Sequence, residues 1–351
     1  MSAGRHAHAM PGAGTAGIEH GRPTAPLLHL RRFVPTDSQR QAFAVLRIAF
    51  GLLWLINAWF QLQSAITGHF MAAWVQAAAG QAPWLHDYVL ATAQWVNDVG
   101  TTPAAVVMVA LDVLLALSLI TGVYARLFSW IGLGYSLFLW STLEAFGAPY
   151  GAGTTDPGTG IIYAVAFAFL LATRPWRRLR LGGAEDPHPP ASPAASGPDP
   201  VALARVLFGL LWAFDAFWKW HPYFFNHFLD FLAAGQQHQP AWIVAYIGLF
   251  VHLIRAVGPH LAALLTAILE TLIAVSLITG RWLALFAPLG ALFSLGIWTT
   301  AEGWGGPYAR GVTGSPDSLI GTAIIYFFVF LFVIVAYDAL PRRRARAASG
   351  G

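Results

Sequence analysis

Cysteine is absent from this chain of 351 residues. That excludes disulfides, thiolate metal sites, iron–sulfur clusters and any persulfide relay on the protein's own sulfur. Charge is scarce too, at 10% of residues, where soluble domains carry about 25%. The chain has no HExxH or EF-hand spacing, no Walker or Rossmann glycine pattern and no serine nucleophile elbow. It therefore offers no metal motif and no nucleotide cradle. The first 40 residues contain no apolar run of the kind a secretory signal needs, so residues 1–40 are expected to form a mobile cytoplasmic tail.

Apolar residues take the place of charge. They make up 57% of the chain, with 15 Trp and 24 Phe, and the mean hydropathy is +0.58. Such a composition suits a protein whose solvent is lipid. Eight segments are apolar enough to span a bilayer, near 42–62, 103–121, 123–143, 159–174, 201–219, 261–279, 282–300 and 319–338. The pI of about 9.6 comes from short basic clusters between these segments, a pattern of membrane topology and not of a nucleic-acid partner. Arg31, Arg32 and Arg40 precede the first segment, Arg174, Arg177, Arg178 and Arg180 follow the fourth, and Arg342, Arg343, Arg344 and Arg346 follow the eighth. By the positive-inside rule these positions and both termini are cytoplasmic in a multi-pass plasma-membrane protein. Segments 63–102 and 220–260 then lie outside, where their helical spacing predicts short interfacial helices.

The pentapeptide SLITG occurs at Ser118–Gly122 and again at Ser276–Gly280, and FGLLW at Phe50–Trp54 returns at Phe208–Trp212. Both recur at one offset of 158 residues. The same offset aligns Arg47 with Arg205, Asn57 with Asp215, Gln61 with Lys219, His69 with His227 and Asp112 with Glu270. It also aligns Glu144 with Glu302 and Tyr150 with Tyr308, and it breaks only where GTGIIY at Gly158 answers GTAIIY at Gly321. The chain is a tandem duplication. The expected fold is all-α: two four-helix transmembrane bundles, residues 41–174 and 201–339, related by an axis along the membrane normal. A Pro- and Ala-rich solvated linker, residues 175–200, joins them, and a basic tail, 340–351, follows.

Ionisable groups within spans are costly and mark function or pairing. Arg47 with Asp112, and Arg205 with Glu270, are expected to form a buried ion pair in each bundle; a proton or ligand role for the carboxylates is the alternative. At the outer boundary, Glu144 and Glu302 with His69 and His227 are candidate catalytic groups, and Tyr150 and Tyr308 candidate binding groups. A carboxylate, an imidazole and a phenol near one face bind a polar headgroup and relay protons, or else are ordinary interfacial decoration.

The stretches LRIAFGLLWLINAWFQ and LDVLLALSLITGVYARLFSWIGLGYS, with their second copies ARVLFGLLWAFDAFWKW and LETLIAVSLITGRWLALF, resemble the DoxX-like four-helix membrane proteins. Within that superfamily they are most similar to the DoxD subunit of thiosulfate:quinone oxidoreductases. The resemblance implies a redox component that binds a quinone as electrons pass from thiosulfate, and a DoxA-like partner subunit. A small-solute transporter built on two parallel repeats, or a membrane assembly module without chemistry, are the alternatives.

Overall fold

The computed structural model describes residues 33–66, 70–151, 153–182, 198–306, 308 and 320–339. Among them every regular element is a helix. His69, residues 183–197 of the linker and the basic tail lie outside the described residues. The first repeat contains α1 (Asp37–Ile66), α2 (Phe70–Ala78), α3 (Pro83–Val99), α4 (Thr101–Thr121), α5 (Ala125–Thr142) and α6 (Thr159–Thr173). The second contains α7 (Pro200–Lys219), α8 (Pro222–Asn226), α9 (Phe228–Gly235), α10 (Ala241–Val257), α11 (Pro259–Thr279), α12 (Leu283–Thr299) and α13 (Ala323–Tyr337).

Local chemistry sets several of these boundaries. The Asp199 side chain accepts from the Val201 N–H at 3.3 Å, with Pro200 at the first helical position, so α7 begins there. His221 Nδ1 accepts from the Tyr223 N–H at 3.1 Å and starts α8 in the same manner. The described parts of the segments expected outside are largely helical, but α3 and α10 run to 17 residues each. Each joins the next helix through one residue, Gly100 or Gly258.

Four helices are long and apolar enough to cross a membrane: the Asp37–Leu62 part of α1, then α4, α7 and α11. The shorter helices α6, α10, α12 and α13 are also apolar. Several of these helices present apolar side chains outward. Val106 and Val107 on α4 are 61% and 65% exposed, and Leu265 and Leu272 on α11 face out as well. A helix apolar on both its packed and its outer face suits lipid as solvent.

Inside each repeat equivalent residues make a close helix crossing. A Cβ placed on Gly51 would stand 2.9 Å from the Leu119 and Ile120 side chains, and one on Gly209 would stand 2.9 Å from Leu277 and 2.8 Å from Ile278. Small residues let α1 approach α4, and α7 approach α11, backbone to backbone. Helix α5 packs on α6 and α12 on α13, while α6 contacts both α7 and α13, and α13 contacts α1. Equivalent residues meet at this joint. Thr159 and Thr322 share a hydroxyl–hydroxyl hydrogen bond of 2.5 Å, and Phe169 stacks on Phe332 at 5.8 Å. One apolar core runs through both repeats, carried across by contacts such as Phe43 on Phe332.

Candidate functional site

The repeated SLITG is a helix terminus that also seats an arginine. Gly122 and Gly280 close α4 and α11 at φ 77° and 72°, each donating its N–H to the Ser carbonyl four residues back at 2.8 Å. Ser118 Oγ donates to the Val123 carbonyl at 2.7 Å and Ser276 Oγ to the Arg281 carbonyl at 2.6 Å. Thr121 and Thr279 accept from the N–H two residues on, at 3.3 Å in both copies. Arg47 of α1 and Arg205 of α7 lie on these glycines. A Cβ on Gly122 would stand 2.8 Å from Arg47 Nη1, and one on Gly280 would collide with Arg205 Nη1.

This placement corrects the expected ion pairs. Asp112 lies ten residues before Gly122 on the same helix, about 15 Å along its axis at 1.5 Å per residue, and Glu270 stands likewise to Gly280. Arg47 instead donates to three carbonyls: Pro175 and Arg178 at 3.2 Å each, and Leu179 at 2.8 Å. The opening residues of the presumed solvated linker are therefore docked, and Leu181 N–H also donates to the Thr121 carbonyl at 2.9 Å. A buried guanidinium needs acceptors, and the carbonyls after α6 supply them without a carboxylate. Arg205, equally buried, lies over the Tyr337 ring at 5.3 Å.

The interior carboxyls have other neighbours. Asp112 is fully buried and receives Asn57 Nδ2 at 3.4 Å, with Tyr135 beside it. Among the described residues no cation lies within 4.0 Å of it. In the second repeat Glu270 Oε2 is 3.6 Å from Lys219 Nζ, which also donates to the Thr155 carbonyl at 2.9 Å. The ammonium further lies over the Phe224 ring at 5.5 Å. Asp215, one turn before Lys219, is buried beside Tyr326. Polar atoms without a hydrogen-bond partner recur here at equivalent positions: Trp54 and Trp212 Nε1, Ser136 and Ser294 Oγ, and one oxygen each of Asp112 and Glu270.

The outer layer assembles differently from the expected constellation. Glu144 accepts from the Gly160 N–H at 2.8 Å and caps the start of α6 from outside it. Glu302 accepts from Thr322 and Ala323 N–H at 3.1 and 2.9 Å and does the same for α13. Tyr150 and Tyr308 donate to the carbonyls of Phe146 and Trp304, the latter at 2.5 Å, closing each loop on a left-handed residue. His227 bonds Asp230 at 2.7 Å and stacks on Tyr223 at 4.2 Å, so its ring is engaged within its own segment.

One outer carboxyl nonetheless lines a cavity. Glu302 borders a space of about 260 Å³ with Gln237, Gln239, Gly306 and Thr322. Burial raises its carboxyl to about 8, against the pull of the two backbone donors. Gln239 Nε2 donates to the Gly303 carbonyl at 3.0 Å, while its Oε1 is buried without a partner.

Gln239, Tyr135 and Tyr326 were not legible as site residues, and Lys219 and Asp215 only as departures from the repeat. The available signal was an acid followed four residues later by a lysine at the outer end of a span. Among the described residues no group of three His, Cys, Asp or Glu side chains is placed to hold a metal. No family model, no curated protein and no solved structure matches this chain.

Proposed function

We propose that this chain is the membrane-embedded part of a redox assembly, which binds a quinone headgroup in the cavity beside Glu302. In this reading eight spans form two tandem four-helix bundles in the plasma membrane, with both termini cytoplasmic. A DoxA-like partner passes electrons from thiosulfate to the bound quinone. The resemblance of both repeats to DoxX-like proteins, and of the whole to DoxD, supports the assignment. So does the pairing of equivalent residues across the joint.

The observation that carries the reading is the cavity itself. It combines a proton-exchanging carboxyl near 8 with an unspent amide oxygen at the outer end of α12. Reduction of a quinone turns two carbonyl acceptors into two hydroxyl donors. Protonated Glu302 donates to a carbonyl, and Gln239 Oε1 accepts from a hydroxyl. A chain without cysteine has no thiol relay of its own, and in this reading the donor site belongs to the partner.

The test is binding of a short-chain ubiquinone analogue to the purified protein in nanodiscs. Glu302→Gln and Gln239→Leu are expected to weaken binding, with the protein still monodisperse. Wild-type affinity in both variants contradicts the proposal.

A further inference from the structure

We infer that each repeat carries one proton-binding carboxyl in the membrane interior, on Asp112 in the first and on Asp215 in the second. The inference concerns residues away from the Glu302 cavity and does not depend on what that cavity binds.

Among the described residues Asp112, the buried carboxyl of the first repeat, has no cation within 4.0 Å. Asp112 is packed among Asn57 and Gln61 on α1, Tyr135 on α5 and Tyr163 on α6. Arg47, the one cation the sequence offers it, is held at the end of the helix by carbonyls 175, 178 and 179. The second repeat differs at four of these positions. Asn57 is answered by Asp215, Gln61 by Lys219, Asp112 by Glu270 and Tyr135 by Phe293. Two carboxyls now face one ammonium. The ammonium is nearest Glu270, at 3.6 Å, and its remaining donors are directed to the Thr155 carbonyl and the Phe224 ring. Asp215 makes no ion pair within 4.0 Å among the described residues, and its Oδ1 has no hydrogen-bond partner.

Both interiors thus share the same surplus, one carboxyl beyond the available cations, although it sits on α4 in one repeat and on α7 in the other. An unpaired carboxylate in surroundings of low dielectric costs several kcal/mol, and taking up a proton removes that cost. Asp215 and Lys219 leave the surplus unchanged, because the added carboxyl comes with an added ammonium. Asp215 faces Lys219 on its own helix, Glu270 on α11, Tyr326 on α13 and Asp156 in the loop before α6. Asp156 belongs to the first repeat and also lies within electrostatic reach of Glu302. Among the described residues Asp112 faces neutral side chains, two of them tyrosines.

Infrared spectroscopy of the wild-type protein in nanodiscs, with aspartate carboxyls carbon-13 labelled, reads the protons directly. At neutral pH a protonated-carboxyl carbonyl band that shifts with the aspartate label is expected. Asp112→Asn removes one component and Asp215→Asn another, while Lys219→Gln adds a glutamate component. Absence of any label-sensitive protonated band in the wild type overturns the inference, and needs no variant to fold. A band untouched by both Asp112→Asn and Asp215→Asn in monodisperse protein overturns it as well.

Discussion

Arg47 rests on Gly122, ten residues away from the carboxyl of Asp112 along α4. The glycine meets two demands at once, since its φ of 77° lies in the left-handed region and any side chain there would enter the guanidinium. Gly122→Ala is expected to cost about 1–2 kcal/mol from backbone conformation alone, with the arginine contact in addition. Gly280→Ala should cost more, because Arg205 approaches its glycine more closely. Thermal unfolding in detergent checks both. Melting of Gly280→Ala at the wild-type temperature contradicts the account.

Lys219 and Glu270 should behave as a pair, and Arg47 and Asp112 should not. Removing one partner of a buried pair costs about 3–5 kcal/mol, so Lys219→Met alone is expected to lose folded protein. Lys219→Met with Glu270→Leu should lose less than the sum. The Arg47→Ala and Asp112→Ala effects should add, since the residues share no contact. Coupling in the second cycle as large as in the first would restore the ion pair that the structure places elsewhere.

Glu302 makes stability depend on pH with a definite sign. Its carboxyl is raised from 4.5 to about 8 in the folded protein by burial. The folded state therefore binds more protons than the unfolded state between those values. Its contribution is fully present below about 4.5 and is lost as pH rises through about 8. The melting temperature should fall across that window, and Glu302→Gln should flatten the slope. An unchanged slope in the variant means that Glu302 is not the group responsible.

The proposed topology is open to cysteine labelling because the native chain has no cysteine. Leu181→Cys, beside the end of α4, should react only from the cytoplasmic side. His238→Cys, between α9 and α10, should react only from the outside. Labelling of both from one side removes the proposed arrangement of spans.

Much of the architecture was legible because duplication prints itself at a fixed offset. The helical class was legible, and Arg47, the closing SLITG and the loops ending in Pro-Tyr all recur, so recurrence marked those residues before any coordinates, though not the seat of Arg47 on Gly122. What recurrence does not reveal is which partner a buried group takes. Arg47 and Asp112 are both deep in the repeat, yet backbone carbonyls after α6 satisfy the arginine, and carbonyls leave no trace in a sequence. Glu144 and Glu302 looked chemical because they recur at a membrane boundary. Each also accepts from the free N–H groups at the start of a following helix, a structural role that recurs with it. Lys219 was visible only as a departure from the repeat, and its partners Glu270 and Thr155 come from another helix and from the other repeat.

The most direct test of the central claim is where a quinone lands. An azidoquinone, photolysed with the protein in nanodiscs and mapped by mass spectrometry, is expected to mark peptides containing Gln237, Gln239 or residues 301–306. The mark should fall when excess unmodified quinone is present and in Glu302→Gln. Competable labelling confined to other helices, with the 234–239 and 301–306 peptides clean, contradicts a headgroup site beside Glu302.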